Sequence, residues 1–379
     1  MGRVAEQAGT TAASRAQALS FRVRTQQLDR EPGGGRRRLA DTAVLDIGVQ
    51  DTGPDGARWA LALRGVDVSA VPDDDLVMLW TVRGAPHLYR RGDLAGVAAA
   101  VAPFSEADAG KRIYDATKPL TAAGIGNLAA LDAVAEAMRS VVTAPMVKGE
   151  VSTRVTALMD QPYLRFCRSC DATHLYEMPF RLAAVRAGLE LQPGTSPPVL
   201  QPIPGFRPAG EVPPRFDLVR AYLHLLGPAT PKLAAGYLDA PVKDVQARWP
   251  DDTVEVSVEG EKRWVLAADR DLLATRAAAR TVRLLGPYDL FLQAKDRPLL
   301  VGDKARAKTL WPVLGRPGAV LVDGEIAGTW RPRQSGKKLT VPVELWAPAP
   351  AKIRKAITEQ AERLAAYRGV TLAGVNLAG

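Results

Sequence analysis

Apolar positions recur at helical spacing from residue 16 to about 30, where Pro32 and the glycines 33–35 break the pattern. After a short basic segment at 36–38, residues 39–47 are apolar and lead into the turn-rich stretch Asp51-Thr52-Gly53-Pro54-Asp55-Gly56. An apolar helix resumes at 59–63. Residues 77–83 and 86–89 then form two short strand patterns around Gly84. Helices followed by a two-stranded ribbon outline a winged helix.

The rhythm returns less sharply over 112–195, with helices expected at 128–142 and 153–159 and a turn with a capping residue at 148–152. Strand patterns follow at 163–166 and from His174 onward. Eight prolines between 192 and 214 suggest a linker. Past it the signal sharpens. Amphipathic helices are expected at 216–226, ended by Gly227-Pro228, then at 230–237 and 242–249. Two alternating strands, 253–258 and 263–267, flank the turn Glu259-Gly260-Glu261-Lys262. Three helices and a hairpin make a winged helix-turn-helix, whose third helix enters the major groove of DNA. A three-helix bundle with a decorative hairpin has the same outline. The last hundred or so residues are short strands punctuated by Gly and Pro, closed by a helix at 350–367.

The expected fold is α+β and mainly helical: tandem winged-helix units with a small C-terminal β-barrel. The expected boundaries are a disordered tail at 1–16, winged helices at 17–110 and 111–195, a linker at 196–214, a third winged helix at 215–275, and a basic barrel with its terminal helix at 276–379.

Charge sharpens the functional reading. The net charge is +9, and residues 276–379 alone hold 18 Lys/Arg against 8 Asp/Glu, while the remainder is nearly balanced. A one-sided excess of this kind points to a polyanion, most simply duplex DNA. No run approaches the ~20 apolar residues that span a bilayer, and the N-terminus lacks a secretory pattern. With only Cys167 and Cys170 there is no disulfide framework, so a reducing cytoplasm is expected; the chain is separately expected to be a monomer.

Cys167-x-x-Cys170-x-x-x-His174 has half of a metal site's spacing. Zinc takes four ligands, and no second Cys pair exists, so two reduced thiols in a turn and no stoichiometric metal are expected. Gly33-Gly34-Gly35 lacks the Lys-Ser/Thr of a phosphate-binding loop, and no Ser-His-Asp set stands out. No cofactor is expected.

Seven segments, taken in order, resemble the AlkZ-like winged-helix DNA glycosylases. They are 45–51 (LDIGVQD), 59–64 (WALALR), 83–88 (RGAPHL), 225–230 (LLGPAT), 263–266 (RWVL), 284–289 (LLGPYD) and 322–331 (VDGEIAGTWR). The resemblance runs from about residue 17 to the end and is weakest between 105 and 200. It implies three winged helices and a barrel forming a basic channel for duplex DNA. It also implies hydrolysis of the N-glycosidic bond of bulky N7-alkylated purines, including crosslinked ones. The family's polar pair, Gln-hydrophobic-Gln or Gln-hydrophobic-Asp, falls on Gly48-Val49-Gln50, followed by Asp51; the first glutamine is replaced by glycine. Gln50 and Asp51 are thus the candidate catalytic residues, though Asp51 and Thr52 could equally cap a turn. Arg64, Arg83, Arg331 and Arg333 are expected on phosphates, with Lys337 and Lys338 in the same basic surface. His87 is a candidate for contact with phosphate or base, or equally a hydrogen-bonded structural histidine at a strand end; Asp289 is a candidate to face the channel, or a turn residue after Pro287. The alternative is a DNA-binding protein that does no chemistry.

Overall fold

The computed structural model describes residues 11–31, 35–53, 56–275 and 280–378. Residues 1–10 of the expected tail, 32–34 of the glycine-rich break and 54–55 of the expected turn lie outside them. The tail does not extend to 16. Strand β1 (Thr11–Ala13) leads straight into helix α1 (Arg15–Thr25), started by a capping box between Ser14 and Gln17.

Helix α1 does not keep to the N-terminal unit. Ala18 and Phe21 pack with Val256, Val258 and Val265, while Leu19 and Val23 join a core that also takes in Trp59, Leu223, Leu285, Leu321 and Leu364. The buried Arg22 forks onto both oxygens of Asp296 at 3.0 and 2.7 Å and donates to the Gly227 carbonyl. The chain's two ends are therefore tied to its middle. A division at residue 17 would cut through one continuous core.

The expected boundary at 110/111 is also crossed. The next elements are β2 (Val49–Gln50), α2 (Ala57–Ala62), β3 (Leu76–Trp80) and β4 (Pro86–Arg90). They are followed by α3 (Asn127–Val141), β5 (Met146–Val147), α4 (Lys148–Thr156), β6 (Leu164–Cys167), β7 (Ala172–Leu175), α5 (Glu177–Arg186), β8 (Leu189–Leu191) and β9 (Val199–Pro202). Six of the strands form one antiparallel sheet in the order β2-β4-β3-β8-β9-β5, and β6 and β7 pair only with each other. Strand β9 falls inside the expected linker, because its alternate residues pair with β8 and bury Leu200 despite the surrounding prolines.

The stretch from 216 folds as its pattern foretells. Helices α6 (Leu218–Leu226), α7 (Pro231–Leu238) and α8 (Val242–Gln246) are separated by Gly227-Pro228 and by the αL residue Asp239. Asp217 and Thr230 cap the first two through side-chain hydrogen bonds. Strands β10 (Thr253–Val258) and β11 (Glu261–Leu266) close on Glu259-Gly260, both with positive φ, as a two-residue hairpin requires. Strand β1 adds to this hairpin in parallel.

The C-terminal sheet departs from the barrel. Strands β12 (Val282–Leu285), β13 (Gly318–Val322), β14 (Glu325–Trp330), β15 (Arg333–Ser335) and β16 (Lys338–Leu345) follow the path β12-β13-β14-β16-β15, and β17 (Thr371–Ala378) pairs in parallel with β16. The path is open, so this is a half-barrel. Helix α9 (Ala351–Tyr367) packs on both β12 and β17, occupying the side that further strands would close. No helix among the described residues is long and apolar enough to cross a membrane.

Candidate active site

Strand β2 is only two residues long, yet it fixes Gln50 tightly. Val49 faces Leu88 and Gln50 faces His87 on β4, and the Asp51 amide donates to the Pro86 carbonyl at 2.8 Å. Directly opposed residues project to the same sheet face, so Gln50 and His87 share one. The half-buried Gln50 side chain donates from Nε2 to Thr52 Oγ1 at 3.0 Å, and among the described residues its Oε1 has no hydrogen-bond partner. Gln50 and Thr52 line a narrow cleft of about 10 Å³, room for about one water, with Gly56, Ala60, Gly286, Pro287, Tyr288 and Asp289. A larger apolar cavity, about 520 Å³, lies between Trp80, Val101, Leu182 and Phe206 and contains none of the expected site residues.

Gly48 has a structural reason. Its φ is +89°, and a Cβ there would stand 2.4 Å from the Tyr89 ring. Tyr89 is itself buried, its hydroxyl sharing a hydrogen bond with Thr81 Oγ1 at 2.8 Å. The volume that a side chain at 48 would need is thus filled by an aromatic ring. Asp51 has turned to structural use: its Oδ1 accepts from the Ala57 amide at 2.8 Å, at the start of α2. Burial raises its carboxyl above the ordinary value, against the lowering pull of that amide and of Arg58. Successive residues of an extended segment point to opposite faces, so Asp51 does not join Gln50 at the cleft.

Three residues expected on DNA are interior. Arg64 is fully buried and forks onto Asp289 at 2.8 and 2.9 Å, while donating also to the Ala60 carbonyl and Gln26 Oε1. Asp289 in turn accepts from the Phe291 amide. A guanidinium with every proton but one committed inside the protein has nothing left for phosphate. His87 is buried too, its Nδ1 against the Ala85 carbonyl at 2.9 Å. Burial, reinforced by Arg83, pushes its imidazole down to about 3, so it is neutral at physiological pH. Arg331, Arg333, Lys337 and Lys338 are exposed on and beside the β15–β16 hairpin, at the other end of the sheet order from β12.

Arg83 is half-buried, with φ +59°. It donates to the Tyr237 carbonyl and to Gln293 Oε1, and lies 4.8 Å over the Tyr237 ring. It leads to a cationic cluster that pattern reading missed. Gln293 donates to the Tyr288 carbonyl at 2.7 Å, and Arg316 stacks 5.3 Å over the Tyr288 ring, beside the Gln50 cleft. Lys295 is held down to about 8, first by partial burial and then by the like charges of Arg83, Arg297 and Arg316. Arg297 stacks 5.0 Å over Trp311. Between Trp311 and Arg316 the loop presents Val313 and Leu314, 96% and 86% exposed. The available signal was the alternation of aromatics and cations within the basic C-terminal segment.

Cys167, Cys170 and His174 are not near this cleft in the chain but on the β6–β7 ribbon, where their ligand atoms lie within 4.8 Å of one another.

A model of the family described as "DNA glycosylase AlkZ-like" matches residues 7–367. An "Interstrand DNA cross-link repair glycosylase" of Streptomyces sahachiroi is 31% identical over 122 residues, which is 30% of this chain and 33% of that protein. The solved structure of the Streptomyces sahachiroi DNA glycosylase AlkZ superposes with a TM-score of 0.72 at 20% identity, covering 97% of this chain and all of that one. The last match shows a shared fold, and the family match spans nearly the whole length. This chain belongs to the AlkZ-like family of DNA glycosylases.

Proposed function

We propose that this chain is a monofunctional DNA glycosylase that releases N7-alkylated or crosslinked purines from duplex DNA, with Gln50 as the catalytic residue. The observation that carries it is Gln50 itself: a polar side chain held by Thr52 at a cleft beside which Arg316 stacks on Tyr288. An N7-alkylpurine is already a cationic leaving group, so a strong general acid is not needed. What accelerates departure is a water aligned on the anomeric carbon and a dipole aimed at the oxocarbenium-like sugar. The free Oε1 of Gln50 can accept from that water and present its partial negative charge to the sugar. Asp51 holds the start of α2 and thereby the loop that carries Gln50. Asp51→Asn keeps an acceptor for the Ala57 amide and is expected to leave base release nearly unchanged, whereas Asp51→Ala loses a cap worth about 1 kcal/mol. Rates and unfolding midpoints of the two variants check this.

The three helices and hairpin of 215–275 are best understood as a winged helix, and the β6–β7 ribbon as the wing of a second one. Arg297 and Arg316 supply phosphate contacts beside the cleft, with Arg331, Arg333, Lys337 and Lys338 extending the basic surface. Val313 and Leu314 are suited to wedge against a base step, as apolar tips of DNA-bending proteins do. Binding is therefore expected to fall steeply with salt and to show little sequence preference. The double variant Arg297→Ala/Arg316→Ala is expected to reduce the slope of log affinity against log salt by about 2. Dissociation constants across a salt series measure it.

A second reading has one observation in its favour. With Tyr89 packed on Gly48, the first polar residue of the family's pair is lost without replacement, which suits a protein that binds lesions without cutting. Incubation with duplex containing N7-methylguanine, followed by alkali cleavage of abasic sites, separates the two. Base release is expected; binding without release would leave the binding-only reading.

A further inference from the structure

Cys167 ends β6, and β7 returns with Ala172 opposite Cys167 and His174 opposite Arg165. Residues two apart on a strand share a face, as do residues directly across. His174 therefore lies on the Cys167 face of the ribbon. The turn between them folds back, its Cys170 amide donating to the Cys167 carbonyl at 3.2 Å and Asp171 adopting φ +49°. Both sulfurs and an imidazole nitrogen come within 4.8 Å of one another. Tetrahedral zinc, with Zn–S near 2.3 Å and Zn–N near 2.0–2.1 Å, places its ligand atoms roughly 3.5–3.8 Å apart. Side-chain rotation at this tip covers the difference.

The ring of His174 is already oriented. Its Nδ1 donates to the Leu175 carbonyl at 2.7 Å, which leaves Nε2 as the nitrogen turned to a ligand. Metal-binding histidines are commonly held in this way. The ribbon also needs a tie. Two four-residue strands make a marginal unit in water, and this one exposes Phe166 at its middle, with Leu175 its one deeply buried apolar residue.

We propose that Cys167, Cys170 and His174 bind one Zn²⁺ through two thiolates and an imidazole, with the fourth position open to solvent. The expectation of no metal rested on counting four protein ligands. Zinc also accepts three with water as the fourth, and soft thiolates with imidazole favour it over hard cations. Binding releases the thiol protons to solvent and cross-links the turn to the returning strand. Because the site is built on the ribbon and lies away from Gln50, it stands whether or not the chain is a glycosylase.

The test uses the full-length protein, stripped of metal and kept reduced, titrated with Co²⁺. The expected result is saturation at about one Co²⁺ per chain, with thiolate-to-cobalt charge-transfer bands and visible bands of tetrahedral intensity. Zn²⁺ should displace them one for one. Cys167→Ser and His174→Ala should each lose or strongly weaken the bands, with far-ultraviolet circular dichroism unchanged because the ribbon tip is exposed. X-ray absorption of the zinc-loaded wild type, expected to show two sulfur neighbours, provides a reading independent of any variant. Absence of charge-transfer bands at stoichiometric cobalt, bands that persist at full strength in either variant, or a shell without sulfur would overturn the assignment.

Discussion

Gln50→Ala is expected to slow release of N7-methylguanine by ~10²–10³ while changing duplex affinity by less than about twofold. The two effects separate because the amide acts where charge develops. An interaction made chiefly in the transition state lowers turnover and leaves ground-state binding nearly intact. In the proposed reading affinity rests instead on Arg297, Arg316 and the exposed cations of the β15–β16 hairpin, none of which Gln50 touches. Single-turnover rates give the first quantity and fluorescence anisotropy the second. Thr52→Val provides a graded companion: the side chain of Gln50 remains, but its amide loses the hydroxyl that holds Nε2 at 3.0 Å. Its loss in rate should therefore be smaller than that of Gln50→Ala. Equal losses would show that Gln50 works only through its partner. A Gln50→Ala rate equal to wild type, with base release present, would move the chemistry elsewhere in the cleft.

Local chemistry was legible where it was strong. The segment from 216 to 267 could be parsed because Asp217 and Thr230 cap helices, Gly227-Pro228 ends one, and Glu259-Gly260 permits one tight turn. The order of family-like segments singled out Gln50, and the structure sets it on β2 opposite His87. What the sequence hid are pairings set by distant parts of the chain. Arg64 and Asp289 are 225 positions apart, and each separately resembles a surface residue of a basic protein. Gly48 looks like a simple loss until Tyr89, forty-one residues on, is seen to fill the space. The boundary at 110 failed because a sheet edge recruits β8 and β9 from beyond it, which no local periodicity records. The cationic cluster escaped notice for a related reason. Arg83, Lys295 and Arg316 come from three separate loops and meet only through Gln293, Tyr237 and Tyr288. Cys167, Cys170 and His174 are the reverse case: the spacing and the flanking strand patterns were visible, but not the fold-back of the turn that brings their ligand atoms within 4.8 Å of one another.

The pair of Arg64 and Asp289 carries the largest expected effect on stability. Both side chains are fully buried, and their two parallel hydrogen bonds join helix α2 to the segment that follows β12. Asp289→Ala would leave the guanidinium inside the core with only the Ala60 carbonyl and Gln26 Oε1 for company. Breaking a buried pair from one side costs about 3–5 kcal/mol, a large share of the ~5–15 kcal/mol that holds a typical domain together. Removing both charges is different. Arg64→Leu/Asp289→Leu eliminates the unpaired ion, so it should recover much of the stability lost by Asp289→Ala, even though it changes more atoms. Urea unfolding of the two variants gives the comparison. The same variants decide whether Asp289 contacts DNA. Among molecules still folded at low temperature, Asp289→Ala is expected to bind duplex as wild type does, since its carboxylate faces Arg64 and the Phe291 amide rather than solvent. A variant that kept wild-type stability but lost affinity would reverse that assignment and return Asp289 to the channel.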